Sequence, residues 1–135
     1  NPQGTPQPLA EVPVYVLTSR RTFSAGEMCA TVLQSRKRAV VVGEKTDGGA
    51  HPGASYRLHA HFEAFIPIGH VTDPVTGGDW EGVGVTPDIA IPQQHALQAA
   101  YNMALKAILA NLGNSPGGPH KALADEAQEA LRELE

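Results

Sequence analysis

The sequence predicts an α/β domain, and three stretches carry that expectation. "VPVYVLT" (12–18) is a near-continuous apolar run of strand length, suited to burial on both faces. A helical pattern opens at Ser24 and runs to about Arg36. "RAVVVGE" follows at once, and its Ala39–Val42 run is too short for a helix and rich in β-branched residues. Strand, helix and strand with short joints make a βαβ unit, which implies a parallel pair and a right-handed crossover.

The remaining elements follow from local pattern. "NPQGTPQPLAEVP" holds four prolines, so residues 1–11 are expected to be a linker or loop of a chain cut from a longer protein. The first helix is expected to turn Ala25, Met28, Cys29, Val32 and Leu33 inward, with Cys29 a small buried filler. "EKTDGGAHPGAS" reads as a glycine-rich loop, and "SYRLHAHFEAFIPIG" as two strands near 54–60 and 62–68. "TDPVTGGDWEGVGV" is a second loop and "TPDIAIP" a short extended segment. From Gln93 to about Leu112, Leu97, Ala100, Tyr101, Ala104, Leu105, Ile108, Leu109 and Leu112 recur at helical spacing, an amphipathic helix expected to pack on the sheet. "GNSPGGP" breaks it, and residues 121–135 form a last helix along Leu123, Ala127, Ala130, Leu131 and Leu134. The expected organisation is thus a linker (1–11), a core (12–112) and a linker with a C-terminal helix (113–135), the last offering a surface for a second copy of the chain.

Composition narrows the function. The net charge is −4, and the basic residues gather only at Arg20–Arg21 and Arg36–Arg38, too few to track a phosphate backbone, so no nucleic-acid partner is expected. No apolar run reaches the length of a membrane span. The single cysteine permits neither an internal disulfide nor a cysteine metal cage. Gly48-Gly49 and Gly77-Gly78 lack the lysine and framing of a phosphate loop, so no nucleotide cofactor is expected.

The candidate chemistry centres on Ser24. Ser24-Ala25-Gly26-Glu27 fits the S-x-x-E capping box, in which the serine hydroxyl is only a helix cap. The same position, at a strand-to-helix turn, also suits a nucleophile, because helix N–H groups and the dipole favour negative charge there. The Ala25 N–H would then be one oxyanion donor. Local pattern leaves both readings open, since a serine is inert until a base removes its proton. Of the six histidines, His51 lies in the glycine-rich loop within conceivable reach of Ser24. His59 and His61 are expected on one face of a strand, exposed rather than metal-binding, and His95 and His120 on helix surfaces. Glu81, in "DWEGVGVTPD", either orients a base, binds a substrate amine or is a solvated loop charge, and Asp88 fixes a turn.

Taken together, "VYVLTSRRTFSAGE", "RAVVVGEKTDGGAHPG" and "DWEGVGVTPDI" resemble the catalytic core of the C-terminal processing (tail-specific) serine peptidases over about Val12–Leu112. More narrowly they are similar to the branch with interphotoreceptor retinoid-binding protein and the tricorn core. The resemblance implies a Clp protease/crotonase-like fold of β-β-α units, no cofactor or metal, a peptide or protein substrate, an extracytoplasmic setting, and Ser24 as nucleophile. The tail-specific branch places a lysine base where this chain has Gly49, and Lys45 stands four residues too early to replace it. The tricorn-like branch takes a histidine base and a glycine-rich oxyanion strand from an upstream segment, with a glutamate that Glu81 matches. That implies a chain carrying the serine and the glutamate without the base, inactive alone. The alternative is a non-catalytic module on the same fold that binds a hydrophobic ligand or peptide tail.

Overall fold

Short β-branched runs separated by one helix build the βαβ unit of this computed structural model, which describes residues 12–113 and 117–134. Strand β1 (Tyr15–Thr18) leads through a turn into helix α1 (Ala25–Ser35) and back to β2 (Val40–Gly43). β1 and β2 pair in parallel with Tyr15 opposite Val40 and Thr18 opposite Gly43. The two-residue strand β5 (Ile89–Ala90) adds to the other side of β2, also parallel, giving the order β1-β2-β5. Between them β3 (Gly53–His59) and β4 (Phe62–Pro67) form an antiparallel hairpin with an irregularity between Arg57 and His59. Helices α2 (Gln93–Leu112) and α3 (Pro119–Glu133) follow. Tyr15–Ala100 is one compact unit, and the described residues outside it belong to a second. The linker expected over residues 1–11 lies outside the described residues. No described helix is long and apolar enough to cross a membrane.

The core of the first unit is small. Ala30, Val41, Ala50, Trp80 and Val85 are buried together, with Val16 and Val71 packed against them. The central strand β2 supplies Val41 and Val42, both with no exposed surface. β1 is an edge strand, so Leu17 remains 43% exposed and the expected burial on both faces is not met. Beyond Pro87, Asp88 does more than fix a turn. Its Oδ2 accepts the Val41 N–H at 2.7 Å and its Oδ1 the Gln34 side-chain amide at 2.9 Å. The carboxylate thus continues the sheet ladder where β5 is too short to reach.

The expected apolar face is rotated in α1 and met only in part in α2 and α3. α1 turns Glu27 and Ala30, three residues apart on one stripe, into the interior. Met28 and Cys29, the next positions round the helix, are exposed, so Cys29 is not a buried filler. In α2 the buried residues are Ala96, Ala100 and Leu105, while Leu97 and Tyr101 are exposed. In α3 they are Ala124 and Ala127, with Leu123 exposed. His61 lies in the hairpin turn rather than on the strand, although its ring still sits 5.8 Å from that of His59.

Among the described residues the largest fully buried side chain is a carboxylate, Glu27. Its Oε1 accepts the Thr46 hydroxyl at 2.5 Å and the Gly48 N–H at 2.8 Å. Its Oε2 accepts the Ser24 and Gly49 N–H groups, each at 2.8 Å. Thr46 Oγ1 in turn accepts the Val85 N–H at 2.7 Å, which draws in the segment before β5. Burial pushes the Glu27 carboxyl pKa up, but the bonds from Thr46, Gly49, Ser24 and Gly48 outweigh it and leave the value below the ordinary 4.5.

A carboxyl whose pKa is depressed on folding stabilises the fold above its unfolded value, and that contribution is lost as pH falls through the folded value. Urea unfolding should therefore show wild-type stability declining below about pH 4.5, and Glu27→Gln should lack that decline. Near neutral pH Glu27→Gln should cost about 3 kcal/mol, because an amide cannot accept all four donors. Parallel pH profiles for the two proteins would contradict the assignment. Asp88→Ala should cost about 1–2 kcal/mol in the same assay, by stranding the Val41 N–H; an unchanged midpoint would show that this donor has another acceptor.

Candidate active site

Ser24 sits at the N-cap of α1 with φ 54° and ψ −117°. A side chain with a Cβ rarely adopts this backbone, which costs on the order of 1–3 kcal/mol. Two other residues show why the strain is informative. Lys37 has φ 53°, but it follows the C-terminus of α1, where a left-handed residue commonly closes a helix. The N-cap of α3 has nearly the geometry of Ser24, φ 57° and ψ −133°, and there the residue is glycine, Gly118. At Ser24 the same turn is made with a hydroxyl in place.

The capping-box arrangement is present in both directions. The Ser24 N–H donates to Glu27 at 2.8 Å, and the Ser24 side chain faces the N–H of Glu27 without a cap hydrogen bond of normal geometry. Glu27 therefore holds the backbone of the turn, and Ser24 remains exposed. The carbonyl of Ser24 accepts the Met28 N–H at 3.0 Å, which starts the helix. Ala25 is exposed at its first position, and among the described residues its N–H meets no acceptor. A strained strand-to-helix turn with a free hydroxyl and an adjacent free N–H is the geometry of a nucleophile elbow.

Ser24 opens into a cavity of about 160 Å³ that it lines with Ala25, Met28, Gly49, Ala50, Pro52, Val71 and Trp80. The walls are apolar and have room for one aliphatic side chain. A larger groove of about 610 Å³ runs past the C-terminal ends of β2 and β5, beside Arg20, Lys45, Asp47, Pro87 and Ile91. No non-glycine residue with a left-handed backbone lines it, in contrast to the Ser24 cavity. Lys45 lines this other groove and not the Ser24 cavity.

Gly49 is as close to Ser24 as the sequence required of a lysine, since both N–H groups bond the same Glu27 oxygen. A Cβ at Gly49, however, would fall on the Phe23 ring edge. The Phe23 ring thus occupies the space a side chain at 49 would enter, and a larger residue there would require that exposed ring to move.

Among the described residues no hydrogen bond joins His51 to Ser24, and His51 does not line the Ser24 cavity. Its Nε2 lies 3.6 Å from Asp79 Oδ2 and its Nδ1 3.8 Å from Glu81 Oε1, and its ring sits edge-on to His70 at 6.3 Å. Glu81 is not a solvated loop charge, since its Oε2 accepts the Ala50 and His51 N–H groups at 2.6 and 2.9 Å. Sequence reasoning missed Glu27 as a hub and Trp80 as a wall. Trp80 donates from its indole N–H to the Gly49 carbonyl at 3.1 Å and is 4% exposed. A tryptophan in a glycine-rich loop of a chain with few aromatics was the available signal for it. For Glu27 the sequence held no such signal, because its donors are mostly backbone N–H groups.

Known proteins share this architecture. The carboxyl-terminal-processing protease of Picosynechococcus is 33% identical over 88 residues, covering 65% of this chain and 21% of that protein. Chloroplastic carboxyl-terminal-processing peptidase 1 of Arabidopsis thaliana is 34% identical over 82 residues, covering 61% of this chain and 17% of that one. Among solved structures, the photosystem II D1 C-terminal processing protease superposes with a TM-score of 0.52 at 29% identity, over 61% of this chain and 21% of that one. Mature CPAF shares the fold with a TM-score of 0.58 at 20% identity, over 76% of this chain and 21% of that one. The chain spans about a fifth of the length of the relatives it matches. These likenesses bear out the expected α/β peptidase fold, and the narrower comparison with retinoid-binding proteins plays no part in them. The family model for peptidase family S41 matches residues 2–91, well over half of the sequence, and the chain belongs to that family.

Proposed function

We propose that these residues form the nucleophile-bearing part of a serine peptidase that cleaves peptide or protein substrates. The observation that carries this is the strained backbone of Ser24, held open at a helix start beside an apolar cavity. Membership of family S41 supports the reaction class. In this reading Ser24 Oγ attacks the scissile carbonyl and its proton passes to a base. The carbonyl oxygen gains charge beside the Ala25 N–H, and collapse of the tetrahedral intermediate expels the amine and leaves an acyl-serine, which water then hydrolyses. The cavity takes an apolar side chain next to the cleaved bond.

Two parts of the machinery lie elsewhere in this reading. His51 is turned toward two carboxylates, and Lys45 faces the other groove, so sequence outside these residues supplies the base. It also supplies the rest of the oxyanion hole. An extracytoplasmic site of action belongs to the same proposal and rests on the family likeness.

The test is covalent labelling by a fluorophosphonate of the protein that carries this chain with its flanking sequence. Wild type should label at one site, mapped by peptide mass spectrometry to Ser24, and Ser24→Ala should lose at least about 100-fold in rate. Equal labelling of the two, with equal peptide cleavage, would overturn the proposal.

A further inference from the structure

Residues 48–51 have no regular secondary structure, yet their backbone is almost fully occupied by tertiary partners. Gly48 and Gly49 donate their N–H groups to Glu27, and Ala50 and His51 donate theirs to Glu81. The Gly48 carbonyl accepts the Gly82 N–H at 3.0 Å, that of Gly49 the Trp80 indole, and that of Ala50 the Val71 N–H at 3.2 Å. Four successive N–H groups therefore end on two carboxylates that approach from different elements, Glu27 from the serine helix and Glu81 from the loop after Trp80. An irregular segment satisfied in this way is fixed as firmly as a paired strand.

That segment forms one wall of the serine cavity. Gly49, Ala50 and Pro52 line it, whereas neither Glu81 nor Glu27 does. Glu81 Oε2 is taken by the two N–H groups, and Oε1 lies 3.8 Å from His51 Nδ1. A general base or a polarising group would need an oxygen in the cavity.

We propose that Glu81 is a positioning residue: it staples the Ala50–His51 end of this segment while Glu27 staples the Gly48–Gly49 end, and the rigid wall between them aligns a bound substrate with Ser24. This rests on the reading of Ser24 as nucleophile and assigns to Glu81 a role through the backbone in place of the expected role on the base. Its carboxylate charge is secondary. What matters is one oxygen placed to accept two N–H groups, which an amide carbonyl can also do.

The experiment compares Glu81→Gln with Glu81→Ala in the protein with its flanking sequence, reading fluorophosphonate labelling at saturating probe, probe affinity, and amide hydrogen exchange at residues 48–51. Glu81→Gln should stay within about 3-fold of wild type in labelling rate. Glu81→Ala should lose about 10-fold or more, with faster exchange at Ala50 and His51 and unchanged protection at Gly48 and Gly49. A Gln variant as slow as the Ala variant, with wild-type exchange in both, would make Glu81 a catalytic carboxylate and overturn the proposal. Unchanged exchange in Glu81→Ala would overturn it as well. If wild type fails to label while the exchange pattern appears as expected, the staple stands and the Ser24 reading falls. Should Glu81→Ala not fold, as circular dichroism would show, Glu81→Gln decides through its own rate.

Discussion

The buried carboxylate of Glu27 is the constraint on which the rest of the site depends. A carboxylate without exposed surface is unfavourable unless nearly all its lone pairs are used, and here four donors use them. The donors come from places far apart in sequence: the serine turn, Thr46, and the glycines that follow it. Folding the charge into the interior therefore draws the helix start and the loop after β2 together. Thr46 extends the chain of bonds to Val85, so the third motif is tied to the same point.

That arrangement also explains how a non-glycine residue tolerates φ 54° at Ser24. The cost of the backbone is a few kcal/mol at most, comparable with the charge-assisted bonds that fix the turn. A neutral cap would hold the serine through its hydroxyl. Here Glu27 holds it through its N–H, and the serine side chain remains exposed. In the proposed function, helix start and nucleophile use different atoms of the same residue. The glycines complete the design from the opposite side. Gly84 has φ 71° and a Cβ there would collide with the Thr46 carbonyl, so the loops approach more closely than any side chain allows.

Much of this was legible in the sequence, and the limits have physical causes. The βαβ order followed from short β-branched runs flanking a helical pattern, and the hairpin and the long helix fell where alternation and 3.6-residue spacing put them. Periodicity could not say which stripe of α1 faces inward, because Ala25, Met28 and Cys29 look more apolar than Glu27 and Ala30. A carboxylate reads as surface until its donors are known, and those donors are backbone groups, which leave no mark in a sequence. The same holds for Glu81, whose partners are the N–H groups of Ala50 and His51. Asp88 was expected to act on its own turn but reaches Val41, a contact 47 residues away that only the parallel sheet creates. Gly49 was singled out as standing where the tail-specific branch has a lysine. That Phe23 occupies its space could be seen only once the two loops were brought together.

The most direct measurement is a carbon-detected NMR titration of the Glu27 carboxyl alongside the amide signals of Ser24, Gly48 and Gly49. The account predicts a midpoint below 4.5, with all three amides moving at that same midpoint as their acceptor is protonated. A carboxyl that titrates at or above 4.5, or amides that ignore its protonation, would contradict it.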